Sequence, residues 1–246
     1  MNTTKIKIAG RYAELLISVF ENNLISAFLF GSVARGEDTE LSDVDLMAVL
    51  RKPPAVHQLR MIGKPGRFHE IHGEGEFEII SCVLIPQDRF LRLIRMSAPR
   101  EAVNPLREAV VLYDTGFVRG LKKEVELDII SLKDDAWCDY MRYGDIRRSC
   151  LVESKRRRNE RDARSDAMKA TTHFLRAYFL YKCGEMILSV KMLRKRMQEE
   201  NREMAQLYEK ILKGDNDKDI VDAIREWVIG KIYASKEKNG YLKKKP

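Results

Sequence analysis

The apolar residues of this 246-residue chain change their period near Gly116, and that change limits the folds open to it. Upstream they fall into short runs, ISAFLF, DVDLMAVL, EFEIISCVLI and AVVLYD, set off by turn-forming residues. Runs of this length, rich in β-branched and aromatic residues, read as buried strands. Among them, RYAELLISVFENN sets Tyr12, Leu15, Leu16, Val19 and Phe20 on one helical stripe. GSVARGE offers a short helix, and PQDRFLRLIRMS a helix opened by Pro86. Arg51 to Gly75 is rich in Pro, Gly and His and reads as loop with room for a short helix. Downstream, nearly everything carries helical spacing. DAMKATTHFLRAYFLYKCGEM stacks Met168, Phe174, Leu175, Tyr178, Phe179 and Tyr181, a helix buried over much of its circumference. SVKMLRKRMQEENREMAQLYEKILKG and DKDIVDAIREWVIGKIYAS follow, divided at Gly214. The expected fold class is α+β: a mixed-sheet domain over 1–120, an all-helical bundle over 121–238 and a basic tail over 239–246.

Charge narrows the partners. Lys and Arg number 45 against 37 Asp and Glu, a formal net charge of +8, which suits nucleotides, RNA and other polyanions. The run RYGDIRRSCLVESKRRRNERDAR places nine cations between Arg142 and Arg164 against Asp145, Glu153, Glu160 and Asp162. It reads either as a phosphate-binding helix or as a solvated one with i,i+4 pairs such as Glu160 with Arg164. Its lack of interleaved aromatics argues against base stacking. Cys82, Cys138, Cys150 and Cys183 are scattered, which speaks against a zinc site or a disulfide scaffold. His57, His69 and His72 lie in the Pro/Gly-rich loop, where HEIHGE lacks the i,i+4 spacing and third ligand of a zinc site. That loop reads better as a cover over a ligand. His173, beside Phe174, reads as a packing residue. Arg11 and Glu14 interrupt the N-terminal apolar region, and no run reaches the ~20 residues of a membrane span. The expected location is cytoplasmic.

The stretch FLFGSVARGEDTELSDVDLMAVL carries the chemistry. Asp43 and Asp45 stand two apart at the entrance of an apolar run, where a strand would put both on one face. Carboxylates that close repel unless a cation lies between them, so the pair suits a hard divalent ion. Gly31 follows a strand and permits close backbone approach, and Ser32 adds a hydroxyl at the start of a helix. Arg35 lies a helical turn beyond Ser32, placed to reach phosphate or to brace the aspartates, and Gly36 lets the helix stop.

Together, G-S-x-x-R-G followed by S-D-x-D-L resembles the signature of the DNA polymerase beta-like nucleotidyltransferase superfamily, through Gly31, Ser32, Arg35, Gly36, Ser42, Asp43, Asp45 and Leu46. The resemblance implies transfer of a nucleoside monophosphate from ATP or another nucleoside triphosphate to an acceptor hydroxyl. It implies two Mg²⁺ ions held by Asp43, Asp45 and a third carboxylate on a neighbouring strand, with Gly31, Ser32, Arg35 and Ser42 at the nucleotide. Glu78 in EFEIISCVLIP is the choice for that third group, with Glu76 as rival on the same face by period 2. A helical domain behind such a domain is similar to the antibiotic nucleotidyltransferases, which makes a homodimer one assembly to expect, and to minimal nucleotidyltransferases paired with helical HEPN partners. The R-x(4–6)-H ribonuclease motif of the latter does not occur in the helical half. The leading expectation is a Mg²⁺-dependent enzyme transferring AMP to a hydroxyl of a small molecule or protein. The alternatives are an enzyme adding nucleotides to RNA 3′ ends and a non-catalytic nucleotide- or partner-binding module.

Overall fold

The computed structural model describes residues 3–39, 42–66, 70–96, 98–127, 130, 132 and 134–238, so the expected basic tail and His69 lie outside the described residues. The chain divides into two compact units, Met1–Leu132 and Lys133–Pro246.

The first unit is built on a mixed sheet of β1 (Leu24–Phe30), β2 (Val44–Leu50), β3 (Lys64–Pro65), β4 (Glu70–His72), β5 (Ile80–Pro86) and β6 (Val110–Asp114), in the order β3-β4-β5-β2-β1-β6. Among the described residues only β2 and β5 run parallel, joined by the crossover that a parallel pair requires. The helices are α1 (Thr3–Phe20), α2 (Gly31–Arg35), α3 (Val56–Ile62), α4 (Gln87–Arg95), α5 (Asn104–Glu108) and α6 (Phe117–Glu126). Alternation along β2 sorts them into two layers. Leu46, Ala48 and Leu50 join Tyr12 and Leu16 of α1 and Ile62 of α3 in one core, while Met47 and Val49 join Phe90 and Ile94 of α4, Leu106 of α5 and Val118 of α6 in another. By the same alternation Asp45 falls on the face of Met47 and Val49, the face that α5 covers. α6 is started by Asp114, whose carboxylate accepts the N–H groups of Val118 at 3.0 Å and Arg119 at 3.2 Å.

Two parts of this unit depart from the sequence reading. Residues 51–75 carry, beside α3, the short helix for which the reading left room, two strands, β3 and β4, because Ile62 and Ile71 are buried and give the segment a core contact despite its Pro and Gly content. The expected strand EFEIISCVLI starts only at Ile80. Before it, Gly75 adopts a left-handed φ of 59° and opens a 3₁₀ turn over Gly75–Phe77, with Phe77 edge-on to Tyr12 at 5.3 Å between ring centres.

The described residues of the second unit form helices without a strand: α7 (Ala136–Arg156), α8 (Glu160–Cys183), α9 (Val190–Glu200), α10 (Arg202–Leu212) and α11 (Lys218–Lys238). α8 supplies Phe174, Leu175, Tyr178 and Phe179 to the core. α7 approaches α8 closely at Gly144, where any Cβ would overlap the Phe174 ring. Between the two helices a buried Asp166 accepts from Arg147 at 3.2 Å and from the Ser154 hydroxyl at 3.1 Å. His173 is buried against the rings of Tyr140 and Tyr143. The long amphipathic run after Ser189 breaks into α9 and α10 at Asn201, whose extended backbone ends one helix and whose side chain accepts the Met204 N–H at 3.0 Å to begin the next. No described helix is long and apolar enough to cross a membrane.

Candidate active site

The site is assembled at the end of β1. Phe30 is still extended, and Gly31 then turns the chain at φ +78°, in the left-handed region that favours glycine. A Cβ at Gly31 would overlap Asp45 Oδ2 and stand 3.2 Å from Asp45 Cγ. The Gly31 backbone is thus the floor on which the Asp45 carboxylate rests. α2 follows at once, anchored by buried Val33 and ended by Gly36, which is left-handed and donates its N–H to the Val33 carbonyl at 3.1 Å. Among the described residues no group hydrogen-bonds the Ser32 hydroxyl, which is partly exposed at this turn.

Asp43 and Asp45 flank Val44, the first residue of β2, whose side chain is buried and whose N–H donates to the Ile79 carbonyl at 2.8 Å. Asp43 is exposed and Asp45 half-buried. The approach to the pair is held by Lys5 of α1, a buried lysine that donates to the Thr39 carbonyl and to the Ser42 carbonyl at 2.8 Å and lies 3.5 Å from Asp38 Oδ2. Ser42 forms part of the same turn: its Oγ accepts the Thr39 N–H at 2.9 Å. Neither Lys5 nor this use of Ser42 has a sequence signal, since the partners are joined only by folding.

Arg35 faces carboxylates. Its Nη1 lies 2.7 Å from Glu108 Oε2 and its Nε 3.0 Å from Glu37 Oε2. Glu108, at the end of α5 and only 7% exposed, also accepts the Gly31 N–H at 2.7 Å. One buried carboxylate therefore ties together the first residue of the Gly-Ser turn and the last residue of α2. Glu108 belongs to no motif that could have singled it out.

Glu78 is exposed at the exit of the 3₁₀ turn, in helical backbone conformation, with its N–H donating to the Gly75 carbonyl at 3.2 Å. Period-2 reasoning therefore does not apply to Glu76 and Glu78. Glu76 is exposed and engaged with Arg11. The residue registered beside Asp45 on β5 is the buried Ser81. Among the described residues no three His, Cys, Asp or Glu side chains lie together in a way that could hold an ion, so Glu78 does not close a three-carboxylate cluster with Asp43 and Asp45. His57 is exposed on α3 and His72 exposed on β4. Two aspartates, one seated against bare backbone, remain a donor set suited to Mg²⁺, which binds through one or two protein carboxylates and keeps water or phosphate oxygens for the rest.

A family model described as Polymerase beta, Nucleotidyltransferase matches residues 14–86, a span that includes Gly31, Ser32, Arg35, Asp43, Asp45 and Glu78. Among solved structures, the spectinomycin adenyltransferase AAD(9) from Enterococcus faecialis, determined with ATP and spectinomycin, is 14% identical, with 91% of this chain and 98% of that one covered and a TM-score of 0.55. A nucleotidyltransferase-like protein from Exiguobacterium sibiricum 255-15 is 16% identical, with 92% of this chain and 75% of that one covered and a TM-score of 0.40. No curated protein matches the sequence. The Gly-Ser turn and the aspartate pair lie inside the matched segment, on an α+β fold, and residues 14–86 of the first unit accordingly match a nucleotidyltransferase domain of the polymerase beta type.

Proposed function

We propose that the enzyme transfers AMP from ATP to a hydroxyl group of a small molecule or protein, with Mg²⁺ held by Asp43 and Asp45. The observation that carries this reading is the seat of the Asp45 carboxylate on the Gly31 backbone, which puts a metal-binding group beside a turn open to phosphate. Bound Mg²⁺ supplies charge stabilisation to the phosphoryl oxygens. The protein's own part is positional. Ser32 offers its hydroxyl to the triphosphate, and Arg35 and Glu108 hold α2 and Gly31 against α5. Glu78, exposed just before β5, is assigned as the base: it takes the acceptor's proton as the acceptor oxygen bonds to the α-phosphorus and the bond to pyrophosphate breaks. The name of AAD(9) and its ATP and spectinomycin ligands support adenylyl transfer to a small molecule. A cytoplasmic setting, where ATP and Mg²⁺ are at hand, is the natural one.

The test is incubation of the full chain with each α-labelled nucleoside triphosphate, Mg²⁺ and fractionated cell extract. Label from ATP should pass to a small molecule or protein and require Asp43. Label appearing on RNA 3′ ends instead would replace the acceptor in this reading, and tight nucleotide binding without transfer to any fraction would replace catalysis by binding.

A further inference from the structure

The nine cations between Arg142 and Arg164 separate into two groups in the folded helical unit. Those on the body of α7 have internal partners. Arg147 pairs with buried Asp166, Arg148 with Asp222 (Nη2 to Oδ2, 2.9 Å), and Arg142 lies 3.6 Å from Asp139 and over the Tyr143 ring. The others collect where α7 turns into α8. α7 ends at Arg156, Arg158 takes a left-handed φ of 56°, and Asn159 caps α8 by accepting the Asp162 N–H at 3.1 Å. This hairpin tip leaves Lys155 and five arginines, from Arg156 to Arg164, exposed.

Local acids neutralise only part of that charge. Glu153 pairs with Arg156 and Arg157, and Glu160 accepts from Asn216 at 2.7 Å. Asp215 and Asp217, in the α10–α11 turn over which Arg164 packs, accept the N–H groups of Asp217 and Asp219. Among the described residues no carboxylate lies within ion-pair distance of Lys155, Arg158, Arg161 or Arg164.

We propose that the α7–α8 tip binds the phosphate backbone of nucleic acid without reading its bases. Three of the four uncommitted cations are arginines, whose planar forks match phosphate oxygens. Arg161 and Arg164 share a helix face at i,i+3. Residues 153–164 contain no aromatic side chain to stack on bases, and their single apolar residue, Ala163, is buried. An interface with an acidic protein draws on apolar or aromatic anchors that this tip lacks. The proposal is independent of the transfer chemistry.

The experiment measures binding of the full chain to a fluorescent single-stranded RNA of about 20 nucleotides, with duplex DNA in parallel, in the absence of nucleotide and Mg²⁺. Four phosphate contacts predict a slope of log K against log salt of about −3 on single strands. The R158Q/R161Q/R164Q variant should bind at least about tenfold more weakly near 50 mM salt and flatten the slope by about 2. K191Q/K195Q/R202Q removes the same charge from exposed positions on α9 and α10 and should bind like the parent. Both variants should melt like the parent, since none of the tip arginines replaced has an ion-pair partner. Equal weakening by the two variants, no binding to either nucleic acid at low salt, or equally tight binding to polyglutamate would each overturn the proposal.

Discussion

Gly31 and Asp45 touch at the ends of two central strands so closely that no side chain fits between them: a Cβ on Gly31 would stand 3.2 Å from Asp45 Cγ and overlap Oδ2. The φ of +78° at Gly31 adds about 1–2 kcal/mol of strain for any other residue. Gly31→Ala should therefore lower the melting temperature by about 2–8 °C. It should also lower transfer by about a hundredfold, the cost of a displacement near 1 Å at a reacting centre. An unchanged rate in a stably folded Gly31→Ala enzyme would separate Asp45 from the chemistry.

Asp43 is exposed, so Asp43→Asn should leave the melting temperature in place. Loss of about 4 kcal/mol of metal-mediated stabilisation would cut turnover by about a thousandfold. Calorimetric titration should show ATP binding that Mg²⁺ no longer strengthens in Asp43→Asn or Asp45→Asn. Mg²⁺-enhanced binding in both variants would move the metal elsewhere.

Glu78→Gln should lower kcat by about a hundredfold or more, the range of general-base catalysis. Glu76 is engaged with Arg11 on the surface, and Glu76→Gln should change kcat by less than about threefold, in keeping with the small worth of exposed ion pairs. The reverse order of effects would transfer the base to Glu76.

Glu108 binds the Gly31 N–H and Arg35 from a nearly closed position. Glu108→Ala leaves the Gly31 N–H unmatched and Arg35 with Glu37 alone, and should cost about 1–3 kcal/mol of stability. It should also raise the KM for nucleotide more than it lowers kcat. Glu108→Gln retains an acceptor for Gly31 and should recover part of the KM effect. Equal KM values in parent and both variants would confine Glu108 to a structural role.

In the helical unit, Arg148 donates to Asp222 and, with Lys218 also bonded to it, holds that carboxyl down at about 2. An unfolded aspartate titrates near about 3.9, so the folded value is the lower one. The contribution of this pairing is then complete above pH about 4 and disappears as pH falls towards about 2. The difference in melting temperature between parent and Asp222→Asn should shrink across that window. A difference that stays constant down to pH about 2 would show that the pairing contributes nothing to acid stability.

Much of this molecule is local in origin and so was legible in one dimension. The strands β1, β2 and β6 and helices α1, α4 and α8 are written in the spacing of apolar residues, and the stop of α2 in Gly36. The α+β class and the Gly-Ser and Asp-x-Asp elements of the family follow from stretches of a few residues, because each needs only its neighbours to take its backbone form. By contrast, β5 begins later than its composition implied, since a glycine turn and the Phe77–Tyr12 contact outweigh strand propensity at Glu76 and Glu78.

The sequence by itself determined β1, β2 and β6, helices such as α1, α4 and α8, and which carboxylates stand at the head of β2. Only the tertiary structure decided what surrounds them: Lys5 on a carbonyl 37 residues away, Glu108 on a backbone N–H 77 residues away, and Ser81 alongside Asp45. Such pairings arise from the packing of separate elements, and packing over long separations leaves no period in the chain for a reader to find.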